Sequence, residues 1–209
     1  MSRVRVKVCG ITTPEDGVMA VQAGADAIGL VFWPKSPRYV DFERARAVAR
    51  ALPPFVLRVG VFVDASASLL AAAVDAGGLD LLQLHGAELP EAFDALPRRG
   101  LKAIRVGAGF DAAEALRYEG HAAGLLLDTQ AASAPGGTGE TFDWSLAQEV
   151  RRRAAFLALA GGLNAGNVAA AIAAVRPDAV DVSSGVESAP GRKDADKVRA
   201  FIEAVRRAA

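Results

Sequence analysis

The apolar and polar residues form two patterns that take turns along the chain. Short runs rich in Val, Ile and Leu recur every roughly 20 to 30 residues, and Ala-rich segments of helical composition separate them. Eight runs are predicted to be strands: residues 3–9, 27–32, 56–63, 79–84, 101–106, 124–128, 156–160 and 179–183. Several are apolar on both faces, which is typical of parallel strands covered by helices outside and by packed side chains inside. The pattern predicts an α/β fold, a parallel (β/α)8 TIM barrel that forms one domain over residues 1–209.

Helix start and stop signals support the segments between the strands. Thr13 precedes a proline and two acidic residues, which predicts an N-cap, and Gly24 predicts the end of that helix. Asp111 and Glu114 have the spacing of a capping box for a short fifth helix. Residues 129–141 form the longest irregular stretch and contain a run of glycines. Since ordinary connections run to about six residues, we predict a functional flap there.

Composition and charge narrow the possible partners and locations. Lys plus Arg and Asp plus Glu each number 24, so the net charge is zero and no charged run favours nucleic acid. No apolar stretch reaches the roughly 18 to 20 residues that span a bilayer, and the charged amino terminus is unlike a signal peptide. One cysteine and two histidines are a small supply for a metal centre. We expect a cytoplasmic protein with no metal, no cofactor, and no nucleic-acid or membrane partner.

Polar residues concentrate where the predicted strands end. Reactive groups of (β/α)8 enzymes lie at the carboxyl ends of the strands and in the loops that follow. Because side chains alternate along a strand, polar residues share one face in three places, as Arg5, Lys7 and Cys9; Gln83 and His85; and Asp181 and Ser183. We expect that face to be the barrel interior, so that these side chains meet in one site.

Small residues follow the last two strands. Gly161 and Gly162 come directly after the seventh strand, and Ser183, Ser184 and Gly185 come at the end of the eighth. Open backbone N–H groups and hydroxyls at these two strand ends are where barrel enzymes commonly bind phosphate. The sequence therefore predicts a small phosphorylated substrate, and ordinary strand-to-helix turns are the alternative.

Several segments, in this order along the whole chain, resemble those of the phosphoribosylanthranilate isomerase family. The matching segments are KVCGIT (7–12), PKSPRYV (34–40), LQLHG (82–86), LDT (127–129), GGTG (136–139), FDW (142–144), AGGLN (160–164), NV (167–168), DVSSGVE (181–187) and GRKD (191–194). The resemblance implies an Amadori rearrangement in tryptophan biosynthesis, catalysed by one acid and one base without cofactor or metal.

The resemblance also implies individual roles. Asp128 corresponds to the general acid and Cys9 to the general base, whereas Arg38 would hold the anthranilate carboxylate through its planar fork. His85 and Asp181 would orient the substrate. From position alone, Lys7 on the same face as Cys9 could favour a thiolate, and an apolar wall beside Asp128 would favour the protonated acid.

Other interpretations of these residues stay open. Cys9 could be a small buried apolar residue, Asp128 a cap on the next loop, Arg38 a solvated loop residue, and His85 a strand-end residue that is simply hydrogen-bonded. His121 is expected at the surface.

The rival functions are other phosphate-binding barrels and a silent binding module. A pentose-phosphate epimerase would need metal ligands, and an indole-glycerol-phosphate synthase would need a catalytic lysine in a longer chain. The related aminoimidazole ribonucleotide isomerase uses two aspartates, and Cys9 argues against it. The sequence leaves open whether the chain is a monomer or a homodimer.

Overall fold

The computed structural model describes residues 3–129 and 143–208, and in it eight parallel strands close a barrel in chain order. The strands are β1 (Arg5–Cys9), β2 (Ala27–Val31), β3 (Leu57–Phe62), β4 (Leu81–Leu84), β5 (Gly100–Val106), β6 (Gly124–Thr129), β7 (Leu157–Leu159) and β8 (Ala179–Val182). The ring is completed by β8 pairing with β1, where Lys7 lies level with Asp181. The predicted barrel is confirmed, and its strand bounds agree with the sequence prediction to within two residues.

Seven helices of the described chain connect the strands. They are α1 (Pro14–Ala23), α2 (Phe42–Ala51), α3 (Ala67–Gly77), α4 (Ala112–Leu116), α5 (Ser145–Arg153), α6 (Val168–Val175) and α7 (Ala195–Ala208). Between β4 and β5 the chain forms only a 3-10 turn over Pro90–Phe93. Pro90 begins this turn, and Pro97 soon afterwards cannot supply the N–H that a continuing helix needs.

The predicted helix caps are partly confirmed. The Thr13 side chain accepts a hydrogen bond from the Asp16 N–H, and Gly24 ends α1 in the left-handed conformation with φ 114°. Asp111 does begin the short α4, but it accepts from the Ala113 N–H. Glu114 pairs with Arg117 instead of completing a capping box, so that detail of the prediction is wrong. The predicted flap lies outside the described residues except for Thr129, which ends β6.

The alternation of side chains along β6 explains why the site lies inside the barrel. Leu125 and Leu127 are fully buried in the core cluster between strands and helices. Leu126 belongs to a separate small cluster with alanines of β5, β7 and β8. Asp128 lies on the same face of β6 as Leu126, since residues two apart share a face. Small interior residues at this level leave open space around Asp128.

A small antiparallel hairpin follows β8 and was not predicted. It consists of β9 (Glu187–Ala189) and β10 (Arg192–Lys193), with Gly191 at φ 78° in its turn. The Thr12 hydroxyl donates to the Gly191 carbonyl at 2.6 Å, which ties the hairpin to the loop after β1. Strands of two or three residues are too short to give a period in the sequence, but this hairpin places Glu187 and Lys193 beside the site.

Two findings concern membranes and metals in the described part of the chain. No helix there is long and apolar enough to cross a bilayer. No group of three or more His, Cys, Asp or Glu side chains among those residues is arranged to hold a metal ion. The expectation that the protein works without either stays a prediction.

Candidate active site

A cavity of about 760 Å³ opens at the carboxyl end of the barrel. Nine of the ten predicted site residues line it: Cys9, Arg38, His85, Asp128, Gly161, Gly162, Asp181, Ser183 and Ser184. Gly185 does not line it. This glycine packs against the backbone of Leu163, where a Cβ atom would overlap the carbonyl oxygen. The structure brings nine of the predicted residues together, and close packing accounts for a glycine at position 185. The phosphate contact of Gly185 stays a prediction.

The turn after β7 leaves backbone N–H groups open to the cavity. Gly161 and Gly162 have φ values of 86° and 64°, a region that disfavours residues with a side chain. Asn167 donates its side-chain N–H to the Gly162 carbonyl at 2.9 Å and so fixes the turn. Neither glycine N–H has an acceptor within the residues that the structure describes. Together with the Ser184 hydroxyl, this turn can bind an anion such as phosphate.

Asp128 lies at the end of β6 in surroundings that favour its protonated form. Its side chain is 17% exposed. Burial, followed by the charge of Asp181, raises the pKa of Asp128 to about 6, although Lys7 and Arg105 act in the opposite direction. A carboxyl group that keeps its proton close to neutral pH can act as a general acid.

His85 is the side chain beside the acid. Its Nε2 atom lies 3.4 Å from Asp128 Oδ2. Burial and then the charges of Arg105, Lys7 and Lys102 lower the pKa of His85 to about 4. The imidazole is therefore neutral at pH 7, and its contact with Asp128 is a polar contact and not an ion pair.

Cys9 lies at the end of β1 above a buried ion pair. Lys7 Nζ lies 2.7 Å from Asp181 Oδ2, with both side chains less than a tenth exposed. Burial raises the pKa of Cys9, the charge of Lys7 lowers it, and the charge of Asp181 raises it again. The pKa of Cys9 is therefore raised overall. Lys7 does favour the thiolate, as expected, but burial and Asp181 together outweigh its charge.

Lys7 itself stays charged. Burial alone would lower the pKa of Lys7, but Asp181 and Cys9 outweigh burial and raise it. An ammonium group whose proton is held this strongly cannot serve as a base at neutral pH. Of the two side chains, Cys9 is thus the candidate base of β1.

Arg38 lies in the cavity wall, but one edge of its guanidinium group is already hydrogen-bonded to another residue of the protein. Its Nε and Nη2 atoms donate to the two carboxylate oxygens of Glu187 at 2.8 and 2.7 Å. Lys193, which is fully buried, donates to Glu187 Oε1 at 2.7 Å and to the Ser183 carbonyl at 3.2 Å. Glu187 and Lys193 therefore fix Arg38 relative to the turn after β8, and the sequence analysis assigned neither of them a role.

Gln83 is another cavity residue that was given no role. It is 2% exposed, and within the described chain its Oε1 atom has no hydrogen-bond donor. The signal was present in the sequence, because Gln83 shares the interior face of β4 with His85.

The sequence matches one protein family over most of its length. The sequence profile of N-(5'-phosphoribosyl)anthranilate (PRA) isomerase matches residues 6–204. A relative named N-(5'-phosphoribosyl)anthranilate isomerase from Pseudomonas syringae pv. tomato is 55% identical over 98% of either chain.

Solved structures agree with the sequence match. Phosphoribosyl anthranilate isomerase from Thermotoga maritima has a TM-score of 0.91 and 46% identity, covering 97% of this chain and 98% of its own. Mutually generated monomers of the dimeric Thermotoga maritima enzyme have a TM-score of 0.87 and 44% identity at the same coverage. A phosphoribosyl anthranilate isomerase in complex with reduced 1-(o-carboxyphenylamino)-1-deoxyribulose 5-phosphate has a TM-score of 0.87 and 45% identity, also at that coverage. The chain belongs to the N-(5'-phosphoribosyl)anthranilate isomerase family.

Proposed function

We propose that this protein converts N-(5-phosphoribosyl)anthranilate into 1-(2-carboxyphenylamino)-1-deoxyribulose 5-phosphate in tryptophan biosynthesis, with Asp128 as acid and Cys9 as base. The family supports the reaction, and the reduced product analogue bound to a solved relative supports the substrate class. The observation that carries the assignment is that a carboxyl with a pKa of about 6 shares one cavity with the only thiol of the chain.

The reaction begins with two proton transfers, one from the acid and one to the base, and ends with the tautomerisation of an enolamine to a ketone. Asp128 gives its proton to the ribose ring oxygen, the C1–O bond breaks, and the anthranilate nitrogen lone pair forms an iminium ion at C1. Cys9 then takes the proton from C2, and the C2–H electron pair forms the enolamine. Proton return to C1 and loss of the hydroxyl proton at C2 give the ketone. The proton that Asp128 adds and the proton that Cys9 removes cancel, as do the proton gained at C1 and the proton lost from the hydroxyl at C2, so one acid and one base suffice.

The substrate carries two anionic groups, and each has a candidate partner. The open N–H groups of Gly161 and Gly162, with the hydroxyl of Ser184, would bind the phosphate, whereas the Ser183 hydroxyl donates to the Cys9 carbonyl at 3.1 Å. Arg38 would bind the anthranilate carboxylate through Nη1 and the remaining edge of its fork, since Glu187 already holds the Nε edge. The ribose then lies between the two anionic groups, with His85 and Asp181 beside it.

Loss of phosphoribosylanthranilate fluorescence tests the activity directly. Purified protein should turn over this substrate and leave the aminoimidazole ribonucleotide substrate of the related isomerase unchanged. Turnover of the second substrate alone would assign the chain to the rival reaction, and the absence of both activities would favour a silent barrel.

Glu187→Gln tests the role of Arg38 in binding the carboxylate. The variant should raise KM about tenfold with kcat nearly unchanged. Without the charge-assisted bond to Glu187, the Arg38 guanidinium is no longer held in the position in which it binds the substrate's carboxylate. N-(5-phosphoribosyl)aniline, which lacks the carboxylate, should show almost no difference between the variant and the parent. Steady-state kinetics with both substrates measure this.

The control for that experiment is Asp80→Asn. Asp80 makes the same two-bond pair with Arg58 at 2.8 Å, outside the cavity, so its loss should leave both KM values unchanged. If Glu187→Gln raised KM equally for the two substrates, Arg38 would not act through the substrate's carboxylate, and the proposal would be contradicted.

We also propose that the protein is a homodimer joined at the amino end of the barrel. Residues 53–55 are exposed and apolar, and Phe55 is fully exposed at φ 69°, a conformation that disfavours a bulky residue. Leu57 at the start of β3 is 46% exposed beside them. An exposed apolar patch of this kind indicates an interface, and one solved relative is described as dimeric.

Phe55→Glu tests the dimer. Light scattering after size exclusion should give a dimer for the parent and a monomer for the variant, with kcat kept within about twofold because the cavity lies at the opposite end of the barrel. Leu146→Glu, a change of an exposed leucine on α5, should stay dimeric. A parent protein that is monomeric at micromolar concentration would contradict the proposal.

A further inference from the structure

Three side-chain oxygens in the cavity wall lack a hydrogen-bond partner among the described residues. They are Gln83 Oε1, Thr129 Oγ1 and Asp181 Oδ1. The other oxygen of Asp181 is held by Lys7, so that carboxylate is anchored. Gln83 has no such anchor among the hydrogen bonds of the described chain, and its amide takes no part in the proton transfers proposed above.

A buried amide without a partner is unfavourable, because the group has lost its water and gained nothing in exchange. Most buried polar side chains in folded proteins do have a partner, so each exception calls for an explanation. An apolar residue at this position would avoid the cost, and a ligand that supplies the donor would remove it.

The place of Gln83 in the barrel limits what that ligand group can be. It lies on the same face as His85 and two residues nearer the amino end, about 6.6 Å deeper along the strand. In the closed ring of eight strands, β4 lies opposite β8, which carries part of the proposed phosphate site. Gln83 therefore lines the cavity on the side of the barrel away from the proposed phosphate site, where a part of the substrate other than its phosphate would reach it.

The chemistry of the amide limits it further. An amide carries no charge and does not exchange protons near neutral pH, so it can act only through hydrogen bonds. Its oxygen accepts from a hydroxyl, and its NH2 group can donate to one. Between the two anionic ends, the substrate carries the hydroxyls of the pentose and the anthranilate N–H, and of these only a hydroxyl can readily both donate to the amide oxygen and accept from its NH2 group.

We propose that Gln83 binds a hydroxyl of the pentose and helps to hold the sugar between Asp128 and Cys9. This inference rests on the proposed function, because it takes the phosphoribosyl substrate as given. Gln83 is then a substrate-binding residue whose partner arrives with the ligand. Its unpaired state in the free protein is a cost that binding removes.

Gln83→Met tests this proposal, because Met keeps the length of the side chain and removes its polar atoms. Binding of reduced 1-(o-carboxyphenylamino)-1-deoxyribulose 5-phosphate, measured by calorimetry, should weaken about tenfold. The inhibition constant of inorganic phosphate should stay the same, because phosphate does not reach β4. The melting temperature without ligand should rise by about 2 to 4 °C, since an unsatisfied buried group is gone.

Gln148→Met is the matched control. Gln148 on α5 donates to the Ala174 carbonyl at 3.0 Å, outside the cavity, so this variant should bind the analogue like the parent and should not gain stability. Turnover by the parent is measured first, because its absence would overturn the proposed function and this assignment together. With an active parent, unchanged binding of the analogue to Gln83→Met overturns the role of Gln83 alone. A Gln83→Met variant that is less stable than the parent, or that does not fold, also overturns it, because the amide would then have a structural role.

Discussion

Replacing Asp128 by Asn should lower kcat on phosphoribosylanthranilate by about 10² to 10⁴-fold, the usual contribution of a positioned acid. The amide has the same shape but cannot give a proton to the ring oxygen. Because the substrate's anionic groups are bound elsewhere, KM should change little. Stopped-flow or steady-state fluorescence measures both constants.

The same variant should be more stable than the parent at neutral pH. Its raised pKa means that folded Asp128 holds its proton more tightly than the unfolded chain does, so stability is lost as the pH rises from about 3.8 to about 6, and the full penalty remains above that range. This rise in the pKa of Asp128 corresponds to a destabilisation of the folded protein on the order of 3 kcal/mol at pH 7. Asp128→Asn should therefore melt several degrees higher than the parent at pH 7.5. The difference should shrink towards pH 4, where the folded parent is also protonated.

The pH profile separates the acid from a structural residue. The active form has a protonated Asp128 and an ionised Cys9. Its share of the protein is small and constant between the two pKa values, and it decreases below the lower value and above the higher one. The parent kcat/KM should thus be bell-shaped, with its acid limb near pH 6. This limb should be missing from the residual activity of Asp128→Asn. A variant that keeps the limb, or that keeps parent turnover, would show that the acid is another group.

Cys9→Ala should also lose about 10² to 10⁴-fold in kcat, because the methyl group cannot take the C2 proton. The Cys9 side chain is only partly exposed, and in the described chain its polar contact is with Lys7. The fold should therefore tolerate the change. Circular dichroism and the melting temperature check that the variant is folded.

Cys9→Ser is the informative control. The hydroxyl keeps the size of the thiol but is a much weaker acid, so the serine variant should resemble Cys9→Ala and not the parent. The alkaline limb of the parent profile, which lies above the usual range of a thiol because burial raises the pKa of Cys9, should be absent from both variants. Near-parent turnover in Cys9→Ala would place the base elsewhere.

The barrel could be predicted because its pattern is repeated eight times and depends on burial. The run Gly-Leu-Leu-Leu over residues 124–127 is apolar on both faces, and that follows directly from packing between helices and the barrel interior. Alternation along the strands placed Cys9, His85 and Asp181 on interior faces, so their meeting in one cavity followed from the fold.

Features that depend on contacts between distant segments could not be predicted. Glu187 is 149 residues from Arg38, and the hairpin that brings them together has strands of two or three residues. The pKa of Cys9 depends on a balance of burial, Lys7 and Asp181 whose sign requires coordinates. The packing of Gly185 against Leu163 is likewise invisible in the sequence, because small residues in turns serve both binding and close packing.

The measurement that tests the central claim most directly is the isotope effect of substrate deuterated at C2. Cys9→Ser should show a primary effect on kcat, because removal of the C2 proton has become slow. Asp128→Asn should show a much smaller effect, because ring opening, which does not break the C2–H bond, limits it. A large effect in Asp128→Asn together with none in Cys9→Ser would contradict the assignment of Asp128 as acid and Cys9 as base.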